Sequence, residues 1–262
     1  MALVIANYST GDLNFDPTGP IQNAQAEIFS TGAGYVRTLG VLNRSASIAL
    51  AVAYADGPLE GDVLGEHQQI HRSGLVDPRL RFAINILGGP ALSPKEFVST
   101  PQARTTLGAS IVVSMPFGEY MPDKLINIGT NRWGFKPELG LRHTIGRCTL
   151  EADAGAWLFT DNTDFYGGKT RSQEPIGSFQ LHVIYTFKPR CWLAVSTNYY
   201  TGGSTSVNNG PSQSLQKNSR FGVTQALPLK KNISLKLGYS RGAFTTAGAD
   251  FDSYTIALQN VW

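Results

Sequence analysis

Between Phe135 and Leu158 the chain sorts its side chains by odd and even position. Phe135, Leu139 and Leu141 are odd, while Lys136, Glu138 and Arg142 are even. After Gly146-Arg147 the order reverses: Leu150, Ala152, Ala154, Ala156 and Leu158 are even, and Glu151 and Asp153 are odd. Residues two apart in a strand share a face, so one face here is apolar and the other charged. A two-residue hairpin explains the reversal. Gly146 at the first central position suits a type II′ turn, which sets Arg142 opposite Glu151 and puts both charges on one face.

Helical periodicity is scarce elsewhere, whereas period-two segments recur from end to end, and the chain reads as all-β. Strands are expected at 2–10, 26–40, 45–55, 76–87, 104–117, on both arms of the hairpin above, and at 175–187, 191–201, 217–227, 232–243 and 252–262, twelve in all. Tight turns near Leu42-Asn43-Arg44, Gly146-Arg147, Lys188-Pro189-Arg190 and Lys230-Lys231 alternate with long polar loops near 11–23, 56–75, 118–130, 161–174, 202–216 and 244–251. Short turns at one end, long loops at the other and strands of about ten residues describe an outer-membrane barrel. A soluble sandwich more often uses strands of about five or six residues and has no reason to gather its long loops at one end. The expected fold is therefore a closed antiparallel up-and-down transmembrane β-barrel of twelve strands, with short periplasmic turns and long extracellular loops. No linker or shift in composition divides residues 1–262, so a single domain is expected.

Composition is compatible with this. With 42% hydrophobic residues and a mean hydropathy of −0.12, no run approaches the roughly eighteen apolar residues that a spanning helix needs. A barrel escapes that test, because only every second residue must be apolar. A net charge of +3 spread over scattered basic residues gives no footprint for nucleic acid. Cys148 and Cys191 each follow an arginine just past a tight turn and carry lipid-side parity. One strand between them sets them about 9–10 Å apart, which predicts free thiols. No cysteine or histidine spacing matches a metal or cofactor site. The opening "MALVIANYSTG" has neither the basic start nor the apolar stretch of a secretory signal, so a mature form with an added or retained Met is expected.

Aromatic residues fall at strand ends, as the aromatic girdles of membrane proteins do. Tyr54, Phe117, Trp133, Tyr199, Tyr239 and Tyr254 are expected at the outer interface, and Phe187 and Trp262 at the inner one. Four residues fit less well. Pro137 predicts a bulge or a missing ladder bond, and His143, Gln225 and Asn260 occupy apolar parity.

The opposite parity assigns Asp77, Arg79, Arg81, Asn85, Lys136, Glu138, Arg142, Glu151, Asp153, Gln180, His182, Arg220 and Lys236 to the lumen. Eight-stranded barrels are filled by side chains and sixteen-stranded ones hold water channels, so twelve strands predict a narrow, partly filled passage for small molecules. These charges either neutralise one another as a lattice or, through Arg79, Arg81 and Lys236, line a conduit. In "PALSPKEF", Ser93 as N-cap, Pro94 at the first helical position and Glu96 three after the cap form a capping box. A short helix over Ser93, Pro94, Lys95, Glu96 and Phe97 is expected at the periplasmic mouth, as a lid or constriction. Asp161, Asp164, Asp250 and Asp252 in the outer loops read as turn chemistry rather than a cation site.

The segments "SGLVDPRLRFAINILGGPALSPKEF", "LINIGTNRWGFKPELGLRHTIGR", "AGAWLFTDNTDFYGG", "QLHVIYTF", "NSRFG" and "GADFD", closed by a terminal Trp, resemble in order those of the outer-membrane transporter-like family of the meta-pathway of phenol degradation. The resemblance runs from about Gly74 onward. It implies a bacterial outer-membrane barrel that passes small hydrophobic or aromatic compounds, with a final aromatic strand read by the barrel-assembly machinery through Trp262. It implies no catalytic site. The expected partners are thus outer-membrane lipids, a small-molecule permeant and the assembly machinery. Two alternatives remain: a lipid-active, phospholipase-like barrel using His143, and a structural barrel with a plugged lumen.

Overall fold

The computed structural model describes residues 1–14, 21–91, 103–210 and 214–262. In chain order the strands are β1 (Ala2–Asn14), β2 (Ile21–Val41), β3 (Arg44–Val63), β4 (Glu66–Leu75), β5 (Arg79–Leu87), β6 (Thr105–Ser114), β7 (Gly134–Ile145) and β8 (Cys148–Phe159). They continue with β9 (Asn162–Phe165), β10 (Lys169–Gln173), β11 (Ile176–Lys188), β12 (Cys191–Gly202), β13 (Thr205–Val207), β14 (Gln216–Lys230), β15 (Ile233–Phe244) and β16 (Gly248–Asn260).

Every neighbouring pair is antiparallel, and β1 pairs with both β2 and β16, so the sheet closes on itself. Closure is what hydrocarbon demands, because no water is present there to satisfy an open edge. β4 and β5 pair with the outer and inner halves of β3 and act as one wall strand interrupted at Val76, Asp77 and Pro78. Counted so, the wall has twelve strands. β9, β10 and β13 form a separate small sheet in the outer loops.

The two parities point as expected. Leu139, Leu141, Phe179, Leu181, Val183 and Leu237 are exposed on the outside, whereas Lys136 and Glu138 are buried toward the inside. The hairpin pairs Arg142 with Glu151 across a turn in which Gly146 has φ +59°, a left-handed value that glycine adopts without strain. Pro137 makes no bulge: pairing with β8 lapses at Lys136 and Pro137 and resumes at Glu138 in the same register. The missing proline N–H is the reason. Opposite the lapse, a Cβ on Gly155 would lie 2.5 Å from the Pro137 carbonyl oxygen, so only glycine permits this approach. Gln225, on the lipid face, donates to the carbonyls of Trp192 (3.0 Å) and Ala226 (2.9 Å) and so carries its own polar partners into the wall.

Both girdles are present. Phe117 lies edge-on to Trp133 at 6.1 Å and Tyr239 meets Tyr254 at 5.2 Å on the outer side. Tyr185 meets Phe187 at 5.0 Å, and Tyr35 meets Trp262 at 6.2 Å, on the inner side. Both cysteines are free.

Three loop assignments are corrected. Residues 56–75 are not a long polar loop: β3 runs on to Val63 and returns as β4 through a turn at Leu64 and Gly65, both left-handed. The loops expected at 11–23 and 244–251 shrink likewise, because β1 runs to Asn14, β2 begins at Ile21 and β16 begins at Gly248. The expected strand over 76–87 begins instead at Arg79, after the Asp77-Pro78 break. These extensions rise beyond the lipid, where no acyl chain requires the outward face of a strand to be apolar. There Ala26, Leu59 and Phe251, joined by Leu13, Ile28, Ile70 and Ile126, build an apolar cluster at the outer mouth. Ile126 comes from the 115–133 loop, which folds over this side of the barrel. The segment Ser93, Pro94, Lys95, Glu96 and Phe97 lies outside the described residues.

Candidate functional site

Within the lumen, strand pairing brings five of the expected residues together. The Glu138 carboxylate receives Lys136 Nζ at 2.6 Å and Gln180 Nε2 at 3.1 Å on one oxygen. Its other oxygen faces Arg81 Nη2 and the Ser110 hydroxyl, each at 3.5 Å. Lys136 and Glu138 are 11% and 6% exposed in their side chains, so this ion pair is well shielded, whereas Arg81 is half exposed. Arg79 joins through an aromatic neighbour. Trp157, inward on β8, has the Arg79 guanidinium carbon 5.6 Å and Lys136 Nζ 5.7 Å from its ring centre.

The aromatic line continues outward. Phe159 stacks on Trp157 at 6.1 Å with an 8° interplanar angle, and Arg132 lies over Phe159 at 4.3 Å. Cations are attracted to ring faces within about 6 Å, so positive charge and aromatic surface alternate from the outer mouth into the lumen. Near the inner end Lys236 Nζ lies 5.5 Å from the Trp192 ring. Arg190, Trp192, Ser234, Lys236 and Gln259 line a cavity of about 240 Å³ there.

The remaining expected residues are spread along the wall. Arg142 and Glu151 face each other at 3.5 Å toward the inner end. His182 Nδ1 and the Ser196 hydroxyl are 2.7 Å apart. Arg220, on β14, is held to the wall by Ser240 (3.2 Å), Ser253 (3.0 Å) and the Phe251 carbonyl (2.5 Å). Asp153 pairs with Gln180 across β8 and β11. Asn85 packs against Gly89 at the inner end of β5.

Asp77 belongs to the wall rather than to the passage. Its carboxylate accepts from Gly118 N (2.9 Å), Thr130 N (2.9 Å) and Thr130 Oγ1 (2.6 Å), tying the 115–133 loop to the break between β4 and β5. A second knot joins that loop to the 160–175 segment. The buried Asn162 side chain donates to the Tyr120 hydroxyl (2.8 Å) and accepts from Asn131 (3.0 Å) and Asp164 N (3.0 Å). Among the described residues no three potential ligands gather for a metal ion. On the lipid side, His143 Nδ1 lies 2.7 Å from the Thr105 hydroxyl, a partner supplied by β6.

Sequence reasoning overlooked Trp157, Phe159 and Trp192, although their luminal parity was readable. It also overlooked Arg132, Arg171 and Arg190, which lie outside the barrel wall, in a loop, the small outer sheet and a turn, where lipid-facing parity carries no signal.

A closed twelve-stranded wall, lipid-facing leucines between two aromatic girdles and a charged interior define a transmembrane β-barrel of the bacterial outer-membrane kind. The chain belongs to the family described as "Putative MetA-pathway of phenol degradation", whose model matches residues 10–258. The COG4313 outer membrane channel from Pseudomonas putida F1 shares the fold with a TM-score of 0.78 at 17% identity, over 100% of this chain and 95% of that one. The NanC porin aligns with a TM-score of 0.56 at 10% identity over 100% of both chains. The transport unit of the Escherichia coli autotransporter AIDA-I gives 0.54 at 10% identity, over 100% of this chain and 89% of that one. No curated protein sequence matches.

Proposed function

We propose that the protein is an outer-membrane channel carrying small molecules, hydrophobic or aromatic, through a narrow charged lumen. The observation that carries this reading is the inward cluster around Glu138, with Trp157 above it, which sets charged and aromatic surface on the inner wall of a closed twelve-stranded barrel, a size between filled and open ones. Lys136, Glu138, Arg81, Arg79 and Gln180 line the passage in this reading, with Arg142, Glu151, Asp153, His182 and Arg220 along its walls and Lys236 at its inner end. The purified protein in planar bilayers is expected to give discrete conductance steps, and liposomes carrying it to swell in small solutes. Silent bilayers and impermeable liposomes would instead favour the structural barrel with a plugged lumen.

Trp262, seated against Tyr35, is proposed as the residue read by the assembly machinery, and Trp262→Ala is expected to lower the amount of folded barrel in the outer membrane without changing its conductance. The Thr105–His143 contact supports one rival reading, since a hydroxyl within hydrogen-bond reach of an imidazole is the first requirement of nucleophilic catalysis. Among the described residues no carboxylate orients the second imidazole nitrogen. Phospholipid hydrolysis by the protein, lost in His143→Ala, would establish that rival.

A further inference from the structure

Beneath the outer loops lies a cavity of about 110 Å³, lined by Tyr120, Leu125, Thr130, Arg132, Phe165 and Arg171 among others. Arg132 lies two residues before β7, and Arg171 is on β10 of the small outer sheet. Arg132 donates through Nη2 to the Gln173 side-chain oxygen, while its Nη1 is buried with no acceptor. Arg171 lies 5.4 Å from the Phe165 ring, and its guanidinium makes no hydrogen bond or ion pair among the described residues. The acids that act on Arg132 from a distance are Asp77 and Asp161, and neither forms an ion pair with it. Asp77 is already taken up by Gly118 and Thr130.

Buried donors are nearly always satisfied, and neighbouring buried cations without an ion-pair partner are rarer still, so this arrangement suits an occupant that accepts hydrogen bonds and carries negative charge. Burial holds the guanidinium of each residue below its ordinary range, Arg132 down to about 10, with Arg171 adding to the strain on Arg132. A planar carboxylate suits guanidinium donors, which can grip it through two parallel hydrogen bonds. The surroundings describe the rest of the occupant. Phe165 lies beside Arg171, and Tyr120 and Leu125 are on the wall, so the body attached to the carboxylate meets ring and aliphatic surface. Inward from Phe159, Trp157 offers a further ring flanked by Arg79 and Lys136, and Trp192 with Lys236 repeats the pairing near the inner end.

We infer that this cavity is the outer binding station for a small aromatic carboxylate, its acid group held by Arg132 and Arg171 and its ring against Phe165, Tyr120 and Leu125. The inference rests on the channel reading only for what happens after capture; binding itself does not. Inorganic phosphate and the phosphates of outer-leaflet lipid share the anionic chemistry but bring no ring.

The test uses the full chain, folded in detergent and reconstituted in bilayers, with benzoate, benzyl alcohol, acetate and inorganic phosphate as probes. Equilibrium dialysis is expected to show saturable benzoate binding, weakened about tenfold in Arg171→Gln and in Arg132→Gln. Benzoate flux is expected to fall in both variants while benzyl alcohol flux stays unchanged. Arg171→Gln alone suffices should Arg132→Gln, which loses a packed side chain, misfold. Benzoate binding unaltered in a folded Arg171→Gln overturns the inference, as does acetate or phosphate binding as tightly as benzoate, which would mark a ring-independent anion site. Conductance without arginine-dependent binding removes the station and leaves the channel. Arginine-dependent binding without conductance does the reverse.

Discussion

At Glu138 one carboxylate, 6% exposed, is shared by Lys136, Arg81, Ser110 and Gln180. Replacing it with glutamine keeps the shape and leaves two cations facing the lumen without their counter-charge. Glu138→Gln is therefore expected to shift the reversal potential in a KCl gradient toward anion preference. Breaking a buried ion pair costs about 3–5 kcal/mol, and the half-exposed Arg81 places this one toward the lower end, readable as a lower urea midpoint. The Arg132 guanidinium gives a pH dependence of definite sign. Burial and the Arg171 charge lower it to about 10, with Asp77 and Asp161 opposing. A base so depressed is charged below that value and neutral above it. Benzoate binding is expected to be full at pH 7 and to fall as pH rises through about 10, before a free guanidinium would discharge. Because the native form sheds its proton first, the unliganded outer loops gain stability over the same rise. Binding constant up to pH 11 would show that Arg132 does not hold the acid.

Among the elements, the interrupted wall strand is the most consequential. Asp77 bridges the break between β4 and β5 with three accepted hydrogen bonds, two of them from backbone N–H groups of the 115–133 loop. Asp77→Ala leaves those donors unpaired, at about 1–3 kcal/mol each where they stay buried. It is expected to expose the loop to limited proteolysis while the barrel keeps its heat resistance in gels. Uncut loops in the variant would assign the anchoring to the Asn162 knot instead. This region also shows why part of the fold was hidden in the sequence. Lipid makes parity legible, since one face must be apolar: β7, β8 and β11 read directly, as did the register of Arg142 and Glu151. Above the lipid that demand ends. Glu60, Asp62, Glu66, His67, Gln68 and Gln69 sit in genuine strands whose composition is that of a loop. The luminal charges were legible by the same parity, whereas Arg132 and Arg171 meet only because two outer loops fold together, a tertiary fact with no local signature.

Taken whole, the molecule is a wall between two solvents, and its stability is set by which one each side chain meets. Gln180 and Leu181 make the comparison at nearly one height on β11, since neighbouring residues differ in face and hardly in depth. Leu181, 47% exposed, faces the acyl chains, flanked across the strands by Ala152 and Thr197. Gln180 faces the lumen beside Asp153 and reaches Glu138. Arginine near the bilayer midplane on a barrel's lipid face costs about 2–4 kcal/mol. In the lumen the same arginine meets two carboxylates and water. Leu181→Arg is therefore expected to lower the folding free energy into lipid bilayers by about that amount, and Gln180→Arg to leave it nearly unchanged while altering ion selectivity. Equilibrium urea titrations of both variants against the parent, with tryptophan emission as the readout, decide it. A cheap Leu181→Arg beside a costly Gln180→Arg would mean that the wall is turned the other way, and every assignment of charge to the passage would go with it.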